Sequence, residues 1–131
     1  MITKIRIDKH KSISLVKMAN ISLERLEATE KFKYPTNTLI DYYDIIHKLL
    51  EALSLLEGIK ATGQGAHQDL IEYISKKYSL GEQNRKMLQE MREYRNRISY
   101  EGFMIKENYI TLHEKKIQQL IDMLLRLINT C

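Results

Sequence analysis

The sequence of 131 residues has few residues that interrupt helices and few that favour sheets. It contains one proline and five glycines, and valine occurs only at Val16. Long uninterrupted elements are therefore expected, and collagen-like or low-complexity chains are excluded. The single cysteine, Cys131, leaves no partner for an intrachain disulfide and no cysteine-based metal site. Because such cysteine usage fits a reducing cytosol, we predict a cytoplasmic protein.

A long hydrophobic run is also missing. The most apolar region, Ile45 to Leu56, is interrupted by His47, Lys48 and Glu51, and so falls short of the ~18 apolar residues that a membrane span needs. The basic N-terminus lacks the apolar run of a signal peptide. We predict no membrane association and no export. The length and the 44% of hydrophobic residues predict one domain over residues 1–131.

Positive charge is concentrated at the start of the sequence. Residues 1–11 carry +3 of the chain's net charge of +4. The remaining 120 residues are nearly neutral, which argues against a broad basic face for nucleic acid. We predict a solvated basic arm over residues 1–11. The alternative is a segment that attracts an anionic partner.

Apolar residues recur with helical spacing through nearly the whole sequence. The first helix should run from about Ser12 to Phe32, with Ser12 or Ser14 as its N-cap. The second has the broadest apolar stripe and should be the central helix. A short third helix is expected from about Ala66 to Tyr78.

Two further helices complete the predicted fold. Ser79 and Glu82 have the spacing of a capping box before the fourth helix, and Gly102 should end it. Residues 103–109 are predicted to connect it to the last helix. No strand pattern of useful length is present. We therefore predict an all-α fold, an antiparallel up-and-down bundle of four long helices plus one short helix.

Two polar clusters have simple structural interpretations. Asp44, His47 and Glu51 share a helix face, but such clusters are common on helix surfaces, and we predict neither a metal site nor a cofactor. The loop Gly63-Gln64-Gly65 precedes the third helix, whose free N–H groups attract anions. Without a preceding strand or a following lysine it is typical of an ordinary loop. His67 in the first turn is a candidate ligand-binding residue, with structural or capping roles as the alternative.

The segment from Glu93 to Phe103 is the most unusual in the sequence. Arg95 lies four residues after Met91 and three before Ile98, and therefore on the apolar stripe. An arginine there needs a carboxylate, a carbonyl or an external anion, because an unpaired buried charge is costly. Asn96 and Tyr100 are one helical turn apart and share a face, and Arg97 adds a second guanidinium. The alternative is a structural role, in which Arg95 forms a salt bridge to another helix and the Tyr100 hydroxyl is buried.

This segment, near the end of the last long helix but one, resembles the HEPN superfamily, named for a nucleotide-binding domain of higher eukaryotes and prokaryotes. The family's signature is an Arg, often followed by Asn, Asp or His, and then after a few residues a His. Arg95-Asn96 matches its opening, whereas Tyr100 stands where the ribonucleases have His.

For active HEPN ribonucleases, the resemblance implies metal-independent RNA cleavage in a site shared across a symmetric dimer. Arg would hold the phosphate and His would transfer protons. A tyrosine with a pKa near ~10 is a poor base at neutral pH but still donates a hydrogen bond. Arg95 and Tyr100 are also roughly 140° apart around an ideal helix. They should meet at one ligand only if the helix end unwinds or a second subunit contributes.

Three functions remain open from the sequence. We favour a non-catalytic homodimer in which Arg95, Asn96, Tyr100, Arg97 and His67 bind a nucleotide, an RNA end or a partner nucleotidyltransferase. The resemblance implies a toxin–antitoxin or substrate-binding component of such a pair, with Tyr100 a hydroxyl that the partner could modify. The alternative is a divergent metal-independent ribonuclease using Arg95 and Tyr100, which would need His67 or His113 as its base. The third is a scaffold dimer without a ligand.

Overall fold

The computed structural model describes residues 1–131 and is mostly helical. Five helices and two short strands follow one another in the order β1 (Ile2–Lys4), α1 (Lys9–Glu27), α2 (Pro35–Glu57), β2 (Ile59–Ala61), α3 (Ala66–Lys77), α4 (Glu82–Glu101) and α5 (Tyr109–Asn129). Four of the helices have between 19 and 23 residues, and α3 has 12. The predicted all-α class and the predicted number of helices are confirmed. None of the helices combines the length and the apolar character that a membrane span requires.

Part of the predicted basic arm is a strand. Ile2, Thr3 and Lys4 pair in antiparallel register with Ala61, Lys60 and Ile59. The basic side chains of residues 1–11 are exposed, but the segment is not an arm separate from the fold, since it forms β1 and, from Lys9, the start of α1. Three residues are too few for the alternation that identifies a strand in a sequence. The small sheet ties the start of the chain to the segment between α2 and α3.

Both ends of α1 differ from the prediction. The N-cap is Asp8, whose carboxylate accepts a hydrogen bond from the Lys11 N–H at 2.9 Å. Ser12 is instead buried, and its hydroxyl donates to the Ala52 carbonyl of α2 at 2.9 Å. The helix ends at Glu27, before the predicted Phe32. The chain then turns, and Pro35 begins α2, because a proline at the first helical position has no N–H to leave unpaired.

The second helix is central, as its broad stripe predicted. It contacts each of the other four helices. Its fully buried side chains form the middle of the main apolar core and include Tyr42, Tyr43, Ile46, Leu49, Leu50 and Leu53. The helix stops at Gly58, which has a left-handed backbone with φ of 73°. This arrangement makes α2 the wall against which α3 and α4 are positioned.

The fourth helix starts differently from the prediction but ends as expected. Its N-cap is Gly81 without any side-chain cap, so the predicted capping box of Ser79 and Glu82 was wrong. Ser79 has a positive φ of 52° in the preceding turn, which takes its backbone out of a capping geometry. At the other end, Gly102 with φ of 67° terminates the helix.

A second apolar cluster holds the end of α4. The connection after Gly102 is not a strand, and its Ile105 N–H donates to the Thr36 hydroxyl at 3.2 Å. Tyr109 at the start of α5 donates to the Glu90 carboxylate of α4 at 2.9 Å. The cluster consists of Leu39, Ile105, Tyr109 and Ile110, with Tyr94, Ile98 and Phe103 packed against it. The unusual segment is thus fixed on one side and leaves its other side facing solvent.

Candidate functional site

Most of the predicted site residues line one cleft of a single chain. The cleft has a volume of about 410 Å³ and lies between α2, the loop before α3 with the first turn of that helix, and the second half of α4. Four of the five predicted ligand-binding residues line it, namely His67, Arg95, Asn96 and Tyr100. Its other lining residues are Tyr43, Asp44, Gly63, Gly65, Ala66, Gln68, Arg92 and Ser99.

Arg95 is partly paired and partly free. Its Nε donates to the Asp44 carboxylate at 3.3 Å, and its Nη1 donates to the Ser99 hydroxyl at 2.6 Å. The side chain is 33% exposed, so it lies at the edge of the apolar stripe rather than inside it. A guanidinium has five N–H groups, and Nη2 makes no hydrogen bond to the chain. One edge of Arg95 therefore remains open to an external anion.

Tyr100 lies at the solvent-exposed rim of the cleft. It is 87% exposed, which contradicts the interpretation of a buried, hydrogen-bonded hydroxyl. Asn96, one turn earlier on α4, is also exposed. Both residues line the same cleft as Arg95 although α4 stays helical through Glu101. Helix α4 thus places Arg95 and Tyr100 on one wide cleft without unwinding, and the contribution of a second subunit stays a prediction.

Arg97 does not join the cleft. Its guanidinium lies over the Phe103 ring, 3.9 Å from the ring centroid, and its Nε is 3.5 Å from the Glu101 carboxylate. These contacts direct Arg97 toward the apolar cluster at the end of α4. This separation makes Arg97 a suitable reference residue for experiments on Arg95.

His67 lines the cleft together with Tyr43, and its ring also contacts His47 behind the cleft wall. Its Nδ1 lies 3.1 Å from the Tyr43 hydroxyl, and its ring stacks on His47 with 3.8 Å between centroids. Burial, followed by the positive charges of His47 and of the cleft arginines, lowers the pKa of His67 below 6.5. Burial also raises the pKa of Tyr43 above its usual 10. At neutral pH, His67 is therefore an uncharged imidazole beside a protonated phenol.

The hydrogen bond between these two residues assigns the proton on His67. Tyr43 is only 2% exposed, and His67 is its only hydrogen-bond partner. A buried hydroxyl without an acceptor is costly, so the phenol donates to Nδ1. The neutral ring then carries its proton on Nε2. In this arrangement Nε2 is a donor and not a base.

Asp44, His47 and Glu51 do not converge on one point. Asp44 pairs with Arg95, whereas the Nδ1 of His47 lies 2.9 Å from the Glu51 carboxylate. That hydrogen bond lowers the pKa of Glu51. No group of three or more potential metal ligands is gathered anywhere in the structure.

Sequence reasoning missed Arg92 as a cleft residue. Its side chain is 15% exposed, its Nε donates to the Gln89 side chain at 2.7 Å, and its Nη2 is 3.7 Å from the Glu93 carboxylate. The spacing of three residues between Arg92 and Arg95 was a usable signal, because such residues share a helix face. The lining residues carry two arginines against the single carboxylate of Asp44, while Glu93 offsets part of the charge of Arg92 from outside the cleft.

The largest cavity is elsewhere. It has a volume of about 700 Å³, runs between α4 and α5, and includes His113 among its lining residues. His113 packs on the Tyr109 ring at 4.3 Å between centroids. Of the two histidines proposed as a replacement base, only His67 borders the Arg95 cleft.

Comparison with known proteins adds no identification. No family model, no curated protein and no solved structure matches this chain. Functional inference therefore depends on the residues and the geometry described above.

Proposed function

We propose that the Arg95 cleft binds the phosphate of a nucleotide or of an RNA end, and that the protein is a non-catalytic, HEPN-like homodimer. In this proposal it serves as a toxin–antitoxin-like or substrate-binding component beside a partner nucleotidyltransferase. The observation that carries the proposal is the open edge of Arg95 in a cleft lined by two arginines and one carboxylate.

The chemistry of the cleft residues supports a phosphate as the ligand. A planar guanidinium donates two parallel hydrogen bonds to phosphate oxygens, and such charge-assisted bonds are stronger than neutral ones. Asn96 and Tyr100 add an amide and a phenol that are free to donate from the rim. Arg92 adds charge from the wall. An apolar ligand would gain little here, since only three of the twelve lining residues are hydrophobic.

The protonation states support binding rather than catalysis. The Tyr100 side chain is a phenol, which donates a hydrogen bond readily but is a poor general base. The His67 Nδ1 lone pair is occupied by the Tyr43 hydroxyl. Neither group presents a free lone pair of suitable basicity to a ribose hydroxyl. Both still present a donor to an anion.

A metal-independent ribonuclease is the second candidate, and the position of His67 favours it. The motif histidine is missing, but His67 reaches the same cleft from α3. If RNA binding breaks the hydrogen bond from Tyr43, the Nδ1 lone pair becomes free to accept a proton. A scaffold without a ligand is less well supported, because the Arg95 guanidinium is not sealed from solvent.

The remaining parts of the proposal concern the assembly. Tyr100 and Met104, 87% and 76% exposed, form an area at the end of α4 that a second copy or the transferase would cover.

Within each copy, we propose that the four long helices run antiparallel, up and down, as the short connections favour. A cytosolic location is also part of the proposal.

The test is direct binding of a short 5′-phosphorylated RNA labelled with a fluorophore, measured by anisotropy. Arg95→Ala should weaken binding by about tenfold or more, because it removes the charge-assisted donors. Arg97→Ala is the matched control and should stay within about threefold of the wild type, since one distant charge changes binding mainly through screening. Equal losses in both variants, or no loss in Arg95→Ala, would contradict the proposal.

The same RNA, incubated with the protein and a chelator, separates the two candidate functions. The binding module predicts intact RNA at every pH from about 6 to about 9, a range in which a histidine can act as a general base. Cleavage that disappears in both Arg95→Ala and His67→Ala would instead establish the ribonuclease.

A further inference from the structure

A second, smaller cavity adjoins the phosphate cleft. Its volume is about 290 Å³, and it lies between the first turn of α1, the C-terminal half of α2, β2 and the start of α3. Its lining residues are Lys11, His47, Glu51, Ser54, Leu55, Ile59, Lys60, Ala61, Ala66, His67 and Leu70. None of the predicted site residues except His67 belongs to it.

The two cavities have a common wall. Ala66 and His67 line both of them, so the first turn of α3 separates the Arg95 cleft from the second cavity. A ligand that contacts His67 from the cleft therefore lies next to the second cavity, with only the first turn of α3 between them. Such a ligand needs an anionic part for the cleft and a different group for the cavity.

The second cavity has the chemistry of a site for a flat heteroaromatic ring. Leu55, Ile59 and Leu70 are buried and provide apolar contact. Glu51 uses one carboxylate oxygen for His47 and leaves the other free to accept a hydrogen bond, while Lys11 supplies a donor. Apolar walls with a few fixed polar groups are typical of small-molecule sites. A nucleobase, with ring faces and a mixed donor and acceptor edge, matches this lining.

We propose that the second cavity holds the base of a nucleoside monophosphate unit whose phosphate is bound at Arg95. This inference rests on the proposed function, since it requires the phosphate in the cleft. It adds to the phosphate site a separate site for the base, whether the nucleotide is free or at the end of an RNA. The base, not the charge alone, then determines the affinity.

Isothermal titration of the wild-type protein with inorganic phosphate, ribose 5-phosphate, AMP and UMP tests this directly. A bound base should make at least one nucleotide about tenfold tighter than ribose 5-phosphate, the scale expected for an aromatic ring that leaves water. A 5′-phosphorylated RNA and the same RNA with a 5′-hydroxyl then distinguish an RNA end from a free nucleotide. Tighter binding of AMP than of either RNA identifies the free nucleotide.

A cavity-filling variant and its control locate the base. Ala61→Leu adds volume to the second cavity and should bring nucleotide affinity down to that of ribose 5-phosphate. Ala28→Leu makes the same change at an exposed position after α1 and should leave both affinities unchanged. In the wild-type protein, NOEs between base protons and the methyl groups of Leu70 should appear, which gives a result independent of how well Ala61→Leu folds.

The outcomes separate the two claims. Equal binding of ribose 5-phosphate and nucleotides, without NOEs to Leu70, would overturn the base site and leave the phosphate site intact. No binding of any of these compounds would overturn both. Nucleotide binding that persists unchanged in Ala61→Leu, without those NOEs, would place the base outside the second cavity.

Discussion

At the scale of single residues, the function depends on how much of each polar group is already satisfied inside the chain. One edge of the Arg95 guanidinium donates hydrogen bonds to Asp44 and Ser99, and the other edge has no partner in the chain. The Nδ1 of His67 accepts a hydrogen bond from the Tyr43 hydroxyl, and its Nε2 carries the proton and is a donor. Both residues therefore keep an unpaired donor, and the one on Arg95 is the donor that the proposed anion would contact.

The lowered pKa of His67 predicts a dependence of stability on pH. The unfolded chain binds a proton at this residue near pH 6.5, whereas the folded chain resists it. The stability that His67 contributes is therefore present above pH 6.5 and is lost as the pH falls below that value. Urea unfolding should give a free energy of unfolding that decreases from about pH 7.5 to about pH 5.5.

A pair of variants assigns this dependence. In His67→Gln the decrease should be smaller than in the wild type, because the residue that gains the proton is gone. His10→Gln changes an exposed histidine and should keep the wild-type decrease. An unchanged pH dependence in His67→Gln would show that burial does not hold this imidazole neutral.

At the scale of elements, the end of α2 links the helical core to the small sheet. The Gly58 carbonyl accepts a hydrogen bond from the Ile5 N–H at 2.9 Å. A Cβ on Gly58 would lie 3.1 Å from the Ile5 carbonyl oxygen and 3.3 Å from the Ile7 side chain, in addition to its positive φ. Gly58 is thus required both for the turn and for the close approach of the chain leading to α1.

Two glycine variants separate these requirements. Gly102 has a positive φ, but a Cβ added there would have no neighbouring atom within 4 Å. Gly102→Ala should therefore lower the free energy of unfolding by only about 1 kcal/mol. Gly58→Ala should cost about 2–3 kcal/mol, because the contact with the Ile5 carbonyl adds to the same backbone strain. Urea unfolding of both variants measures the difference, and equal losses would contradict the role of the close approach.

The helices were predictable from the sequence because each buries a stripe of regularly spaced apolar residues. The strands were not, since Ile2–Lys4 and Ile59–Ala61 are too short for a pattern and pair across most of the first half of the chain. The N-cap of α1 was misplaced because Ser12 resembled a cap, whereas its hydroxyl is used by α2. The cap was thus predicted wrongly because a contact between residues distant in sequence uses the hydroxyl that a cap would need.

At the scale of the whole molecule, the candidate site combines one local segment with two distant ones. Arg95, Asn96 and Tyr100 were identifiable from their spacing on α4, and His67 from its place at a helix start. Tyr43 and Asp44 were not identifiable as partners, because α2 meets α3 and α4 only in the folded chain. The sequence therefore predicted four of the residues that line the cleft but not the α2 residues that contact them.

The central claim is that an anion from solvent reaches the open edge of Arg95. The most direct measurement is the NMR spectrum of the arginine side-chain N–H groups during a titration with inorganic phosphate. The account predicts that the Arg95 signals shift to saturation while those of Arg97, over Phe103, stay in place. Arg95 signals that do not move, or that move only in parallel with those of Arg97, would contradict it.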